Sequence, residues 1–364
     1  MTSKQRKISE TIREHKQNGS QKMETLEVKP QHPRTLVWRN IILYILMHIG
    51  AFYGLQRIIT LNTNWKTILW CYLMIVVGLQ GITSGVHRLW THKSYKAKLP
   101  LRILLCIFNT IALQLPIYTW VKDHRAHHKY SDTDADPHNS KRGVFYSHVG
   151  WLFVEQTKDC IEKTAAIDMS DIHEDGVVLL YVICTIIGFY LPACVPYYFW
   201  GEDFWRSFYV VSMLRYALTT HITFLVNSLA HKYGSRPYDG NIPPTDNLTI
   251  TMLTGGEGWH NYHHTFPWDY KAGELGKYST NWSTGFIDFM AKIGWAYDLK
   301  TVSMEMINKR CNRTGDGSRK FDGDQEKEVN NKEETLLWGW GDKDMTEEEL
   351  KLVEIHHKLN EKVI

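Results

Sequence analysis

The chain has 364 residues, a formal net charge of +3 and 22% charged residues, so it lacks the basic excess typical of nucleic-acid-binding proteins. Its six cysteines include no C-x-x-C pair, which favours reduced, buried thiols over a disulfide framework or zinc–thiolate site. Aromatic residues make up 13% of the chain, and long apolar blocks separate its polar ends.

The apolar blocks predict an all-α integral membrane protein with four transmembrane helices. A span needs about 20 apolar residues, and the blocks at residues 37–59, 65–86, 177–199 and 204–226 are long enough. Short connections at 60–64 and 200–203 join them into two helical hairpins. Lysine and arginine concentrate before the first span and after the second and fourth, which places both termini and the long connections in the cytosol.

Three further segments fall outside these spans. Residues 1–36 are polar and basic and predict a disordered tail. Residues 99–118 are apolar but carry Arg102, Asn109 and two prolines, and spanning would place two histidine clusters on opposite faces of the membrane. We interpret this segment as an interfacial or re-entrant helix, with a soluble core helix as the alternative. Residues 313–364 form a tail with a flexible insertion, followed by a capping box at Thr346 and Glu349 that opens a short amphipathic helix to about Lys358.

Histidines recur at short spacings just beyond the apolar blocks. The pattern H-x-x-H-H occurs at 124–128 and again at 260–264, and residues three and four apart share one helical face. A looser pair, five residues apart, predicts that the end of the second span frays or turns near Trp90. The spacing of four between Asn227 and His231 adds a further contribution. The candidate metal ligands are His87, His92, His124, His127, His128, His231, His260, His263 and His264.

Nine imidazoles exceed the four to six ligands of one ion and suit two ions at the cytosolic surface of the membrane. Neutral imidazole binds iron, zinc or copper. The ligand spacings contain no glutamate of the kind that bridges di-iron helical bundles. Asp123 and Asp269 flank the clusters and are candidates to hold the ring N–H of a ligand histidine. Iron would give oxygen-dependent redox chemistry, and zinc, which the sequence leaves open, would give hydrolysis.

The histidine segments closely resemble the membrane acyl-CoA desaturases of the stearoyl-CoA type. The matching stretches are HRLWTH (87–92), DHRAHHKYSDTDADPHNS (123–140), LVNSLAHKYGSRPYD (225–239) and GEGWHNYHHTFPWDY (256–270). The resemblance covers a desaturase domain at residues 37–312, and WGWGDKDMTEEEL (338–350) resembles the arthropod branch of the family. It implies four spanning helices capped by a helical cytosolic domain, with the nine histidines as iron ligands and Asn227 holding a metal-bound water.

The resemblance also implies the reaction. It would be that of a di-iron enzyme of the endoplasmic reticulum membrane, which uses O2 and two electrons from cytochrome b5 and its reductase. The expected product is a fatty acyl-CoA with a new double bond, at carbon 9 or 11. An unactivated methylene has no acidic proton, so the metals must remove hydrogen while the protein orients the chain and excludes water.

The family binds its acyl chain in a narrow, bent apolar tunnel. The resemblance implies that Gln114, Trp120 and Thr223 hold the bend, although core packing is the alternative role for Trp120. Lys122 and Asp123 fit contacts to the CoA head group. Leu115 stands where the family commonly has asparagine, which is a departure from the pattern near that head group.

Two positions in the second span also depart from the family pattern. Leu79 stands where a small residue is frequent, and Ile75, one turn earlier, replaces a frequent tyrosine. We expect these residues to alter chain-length preference or double-bond position. Two other functions remain open from the sequence: a related di-iron hydroxylase, and a histidine-rich metal-binding or transport protein. The second is disfavoured because only His48 and His221 lie inside apolar blocks.

Overall fold

Helices account for most of the structure. The computed structural model describes residues 35–179, 181–274, 278–319 and 335–357. The N-terminal tail predicted at 1–36 and most of the predicted insertion therefore lie outside the described residues. The helices, numbered in chain order, are α1 Trp38–Ile59, α2 Trp65–Thr91, α3 Leu99–Ala112, α4 Ile117–Lys129, α5 Val144–His148, α6 Lys158–Ala165, α7 Ser170–His173, α8 Gly176–Leu179, α9 Tyr181–Trp200, α10 Phe204–His231, α11 Leu248–Thr254, α12 His260–Thr265, α13 Trp282–Lys292, α14 Met304–Thr314 and α15 Glu347–Leu352.

Three helices in the described part of the chain are long and apolar enough to cross a membrane: α1, α2 and α10. The predicted third span at 177–199 corresponds to α8 and α9, and α9 has 20 residues. Helices α3 and α4 meet the criterion only as a pair bent by 85°. The mostly helical membrane architecture is thus confirmed, whereas the four-span topology stays a prediction.

The second span is longer than the sequence predicted, and its end is regular. Helix α2 runs for 27 residues to Thr91, and its last part, Gly81–Thr91, has π-helical hydrogen bonding. The predicted fraying or turn near Trp90 is wrong. In a π-helix the bond joins residues five apart, and the backbone amide of His92 accordingly donates to the carbonyl oxygen of His87 at 3.1 Å. The spacing of five therefore equals one turn.

Helices α2 and α10 extend beyond a bilayer's hydrocarbon core. At about 1.5 Å per residue they are roughly 40 Å long, against a core of about 30 Å. Their final turns carry His87 and His231, so these two histidines lie on helical extensions of the spans. The prediction that all ligands follow the spans in separate segments is wrong for these two residues.

The apolar segment predicted at 99–118 is broken rather than a single helix. Helix α3 ends at Ala112, and both Leu113 and Leu115 have left-handed backbone conformations with φ of +60° and +63°. Pro116 then precedes α4, whose first turn has no need of its missing N–H. This turn directs α4, with its H-x-x-H-H motif, away from the axis of α3.

Two short antiparallel sheets depart from the predicted all-α class. Strand β1 (Lys96–Ala97) pairs with β2 (Ala296–Tyr297), and β3 (Leu299–Val302) pairs with β4 (Val353–His356). The capping box is confirmed, because Thr346 and Glu349 each accept a bond from the other's backbone amide. The helix to Lys358 is wrong: α15 ends at Leu352, and the alternating apolar and polar residues that follow form β4.

The main buried apolar cluster is built by the same helices that carry the histidines. It includes Val86 on α2, Val121 on α4 and Ile287 on α13, all fully buried. Close packing of this cluster fixes the relative positions of the histidine-bearing helices. None of the five cysteines in the described chain forms a disulfide.

A buried carboxylate joins the two helical hairpins at the ends of α2 and α10 opposite the histidines. One oxygen of Glu202 accepts from the backbone amide of Asn64 at 2.8 Å and from the Thr67 hydroxyl at 2.9 Å. Its other oxygen accepts from Arg206 at 3.0 Å. Glu202 thus satisfies groups at the start of both helices.

We expect Glu202→Ala to lower the free energy of unfolding by about 2 kcal/mol, because hydrogen bonds to a charged group are lost in a buried place. Glu305→Ala is the control, since Glu305 pairs with Lys309 at an exposed position and should change stability by less than about 0.5 kcal/mol. Thermal unfolding of the detergent-solubilised protein measures both. Equal stability of the two variants would contradict the role assigned to Glu202.

Candidate metal centre

The structure brings all nine candidate histidines together in two adjacent groups. Each group has one ring nitrogen per residue within 4.8 Å of the others, and every member is buried. We call them the five-imidazole group and the four-imidazole group. The first consists of His87, His92, His124, His128 and His263, and the second of His127, His231, His260 and His264.

The ring nitrogens that converge are the Nε2 atoms. Nε2 of His263 lies 2.9 Å from Nε2 of His87 and 3.1 Å from Nε2 of His128. In the other group, Nε2 of His260 lies 3.0 Å from that of His231 and 3.1 Å from that of His264. Lone pairs that face one another at these distances, in two clusters without thiolates, are the donor set of bound metal ions.

Buried nitrogens without a protein partner support the same conclusion. Nε2 of His92, His124 and His127 is buried and accepts or donates no hydrogen bond within the described chain. A buried polar atom left in this way costs free energy unless something else binds it. The residues present therefore fit metal ions in both groups.

The electrostatic environment keeps these rings in the form that binds metal. Burial lowers the pKa of His260, His263 and His264 well below the ordinary histidine value, and the neighbouring histidines lower it further. Each ring is consequently neutral at physiological pH. A neutral imidazole offers the lone pair that a metal ion requires.

Four of the nine rings have an oxygen acceptor beside Nδ1, on the side facing away from the cluster. Such an acceptor fixes which nitrogen carries the proton and leaves Nε2 for the metal. The pairs are His87 with Glu257 (2.8 Å), His127 with Asp136 (2.9 Å), His231 with Asp132 (2.8 Å) and His92 with the carbonyl oxygen of Trp338 (2.5 Å).

These acceptors are not the two predicted from sequence. Asp269 accepts from the Tyr262 hydroxyl and from backbone amides, including that of Lys271. Asp123 lines a cavity next to the site, where burial raises its pKa to about 6 although Lys122 lowers it. The prediction that Asp123 and Asp269 orient ligand histidines is therefore wrong.

A buried arginine holds Glu257 in its charged form. Burial raises the pKa of this carboxyl, but Arg88 and His87 more than offset burial and bring the pKa to about 2. Arg88 donates to Glu257 at 2.7 Å and to the carbonyl oxygen of Tyr270 at 3.0 Å. Glu257 directly follows the glycine pair of GEGW, and its position three residues before His260 was the available signal for its role.

Two cavities lead to the histidines and share part of their walls. The larger has a volume of about 140 Å³ and the smaller about 40 Å³. Trp120, His124, Thr223 and Asn227 line both, and the smaller also reaches His87 and His260, one from each group. Asn227 belongs to neither imidazole group but stands on the cavity wall beside them.

The predicted substrate residues divide between these cavities and other places. Gln114 donates to the Thr223 hydroxyl at 3.0 Å, and both lie on the wall of the larger cavity with Trp120. Leu79 lines the smaller cavity. Ile75 instead packs against a buried cluster that contains Cys71 and Val210.

Lys122 is half-buried and lies outside the residues that line the two cavities. The structure therefore does not bring Ile75 or Lys122 to the cavity walls.

We expect Asp132→Asn to weaken metal binding in the four-imidazole group by about 10- to 100-fold, because the variant loses the charge that orients His231. Asp134→Asn is a matched control in the same loop, since Asp134 is exposed and pairs with Arg142. Titration of the metal-free protein with Co²⁺, followed by visible absorption, measures each affinity. Identical titrations for the two variants would contradict this assignment.

The comparisons with known proteins agree with this geometry. The family model described as fatty acid desaturase matches residues 63–272, more than half of the chain. An Acyl-CoA Delta-12 desaturase of Tribolium castaneum is 60% identical over 341 residues, which cover 91% of this chain and 95% of that protein.

Two other relatives extend the comparison. An Acyl-CoA Delta-9 desaturase of Acheta domesticus is 48% identical over 88% of this chain and 87% of its own length. Stearoyl-CoA desaturase 5 of Homo sapiens is 48% identical over 78% of this chain and 87% of its own length. These matches confirm the resemblance inferred from the histidine motifs. The chain belongs to the fatty acid desaturase family.

Proposed function

We propose that this protein introduces a double bond into a saturated fatty acyl-CoA at a centre of two iron ions, using O2 and electrons from cytochrome b5 and its reductase. As a member of the fatty acid desaturase family it is an oxidoreductase acting on fatty acyl chains. One observation carries the proposal: two groups of buried, neutral imidazoles stand at the end of an apolar cavity. Bound iron would supply the redox chemistry that removal of hydrogen from an unactivated methylene requires.

The chain's own residues would orient the acyl chain and exclude water. The smaller cavity has apolar walls formed by Leu79, Ile82 and Val226, beside His87 and His260. A chain held there loses conformational freedom before the reaction, so its reacting carbons stay near the histidines. The bond from Gln114 to Thr223 fixes the wall where the two cavities adjoin.

We propose four spans, a location in the endoplasmic reticulum membrane, and termini and metal centre in the cytosol. Three described helices have the length and apolarity of spans, and α9 has the length of a fourth. Lysine and arginine flank the histidine-bearing ends of the helices. In this orientation the metal centre faces the compartment that holds acyl-CoA and the electron donor.

For the position of the double bond, we propose carbon 9 or 11. The relatives carry names with Delta-9, Delta-11 and Delta-12, so carbon 12 is the competing position. The family is common to all three, which means that the shape of the cavity decides the position. Leu79 on the cavity wall is the residue we expect to contribute to this choice.

Expression in a yeast that lacks its own desaturase tests the proposed reaction. We expect growth without added unsaturated fatty acid and a new monoene, both abolished by His127→Ala. Mass spectrometry then locates the double bond. A hydroxylated chain would instead identify the related hydroxylase. No product from stable, membrane-inserted protein supplied with several acyl chains would contradict acyl-CoA catalysis and favour a metal-binding role.

Leu79→Ala should change the product profile, because removing the side chain enlarges the cavity near His87. The expected change is a shift in chain length or bond position of at least about twofold in product ratio, since one side chain's worth of apolar contact discriminates roughly 10-fold or more. Ile75→Ala is the matched control, one turn away and packed elsewhere. An unchanged profile for Leu79→Ala, or an equal shift for Ile75→Ala, would contradict this role.

A further inference from the structure

One ligand of the five-imidazole group is held by the far C-terminal part of the chain. Nδ1 of His92 donates to the carbonyl oxygen of Trp338 at 2.5 Å. The backbone amide of Trp340 donates in turn to the carbonyl oxygen of His92 at 2.9 Å. Both the ring and the backbone of this fully buried histidine are therefore bound by the same segment, residues 337–344, which we call the C-terminal clamp.

The clamp is fixed to the helix that carries the H-x-x-H-H motif. The carboxylate of Asp342 accepts from the backbone amide of Trp338 at 3.0 Å and from Lys129 at 2.8 Å. The Trp338 ring lies against the Arg125 guanidinium, 4.1 Å from the ring centroid. Because Arg125 and Lys129 are the residues directly after two ligand histidines of α4, the clamp and the ligands share their supports.

A glycine permits the close approach between the clamp and His92. Gly339 has φ of +146°, and a Cβ at this position would lie 2.7 Å from Cα and 2.6 Å from the carbonyl oxygen of His92. Both distances are too short for any side chain, and neither backbone can move without displacing the ligand. Gly341 also has positive φ, +88°, but a Cβ there would meet only the flexible end of Lys93, at 3.6 Å.

The four-imidazole group is supported differently. Its described acceptors, Asp132 and Asp136, lie in the loop directly after α4. The clamp, by contrast, is separated from α14 by more than 20 residues of sequence. The two groups thus depend on the C-terminal segment to different degrees.

We propose that the C-terminal clamp is a positioning element for one of the two metal ions. It holds His92 so that the five-imidazole group binds its ion, while the four-imidazole group binds its ion without it. The inference rests on the proposed function, because it takes both groups to bind iron. It assigns to the tail a role in metal loading in addition to its packing against the core.

The test compares iron content among variants of the full chain purified in detergent. We expect about two iron ions per wild-type chain and per Gly341→Ala chain, and about one per Gly339→Ala chain, since losing a ligand's support weakens binding by about 10- to 100-fold. The ion retained in the four-imidazole group shows that the variant is folded. Adding Asp132→Asn to Gly339→Ala should remove most of the remaining iron.

Two truncations give an independent comparison that does not depend on backbone strain. A chain ending at residue 346 keeps the clamp but loses α15 and β4, and should bind iron as the wild type does. A chain ending at residue 334 loses the clamp and should bind half as much. A synthetic peptide of residues 335–357 should restore the missing ion to the shorter chain.

The outcomes separate this inference from the proposed function. Full iron content in Gly339→Ala and in the chain ending at 334 would overturn the role of the clamp while leaving the di-iron proposal intact. Loss of both ions in these variants would also overturn it, because the effect would then extend to the whole fold. Absence of iron from the wild-type protein would overturn the proposed function instead.

Discussion

The structure depends on the convergence of nine neutral imidazoles in a small buried volume. Their Nε2 atoms can face one another only if the ring protons sit on Nδ1, so acceptors must lie on the outer side of the cluster. The loop after α4 is organised by this requirement. Asp136 accepts from the backbone amides of Asp132 and His138, and Asp132 accepts from that of Ser140. The same two carboxylates that hold His127 and His231 therefore also fold the loop.

Two buried arginines solve a related problem at the end of α2. A helix that ends in a buried place leaves carbonyl groups without partners. Arg125 on α4 donates to the carbonyl oxygens of Trp90 at 2.8 Å and Thr91 at 3.2 Å, and it also binds Asp171. A cation at this end of the helix is favourable because the aligned peptide dipoles make it negative. Arg125 thus fixes the distance between the first histidine pair and the second cluster.

Much of the fold and site could be predicted from sequence, since the signals were local. The spacing of the H-x-x-H-H motifs, the apolar lengths of α1, α2 and α10, and the capping box at Thr346 each depend on neighbours in the chain. The π-helical end of α2 could not be predicted, because its extra residue per turn is stabilised by tertiary contacts. The carbonyl of Trp338 could not be found either, since every residue type has one and only the fold brings this one to His92.

The two imidazole groups differ in a way that fits an oxidation carried out on a buried chain. The five-imidazole group is closed on its outer side by Glu257 and by the Trp338 carbonyl. The four-imidazole group has one imidazole fewer, and Asn227, one turn before His231 on α10, lines the cavity beside it. A neutral amide binds metal weakly but holds water well. This difference agrees with our proposal that Asn227 holds a water on the side of the centre that faces the acyl chain, where O2 must also enter.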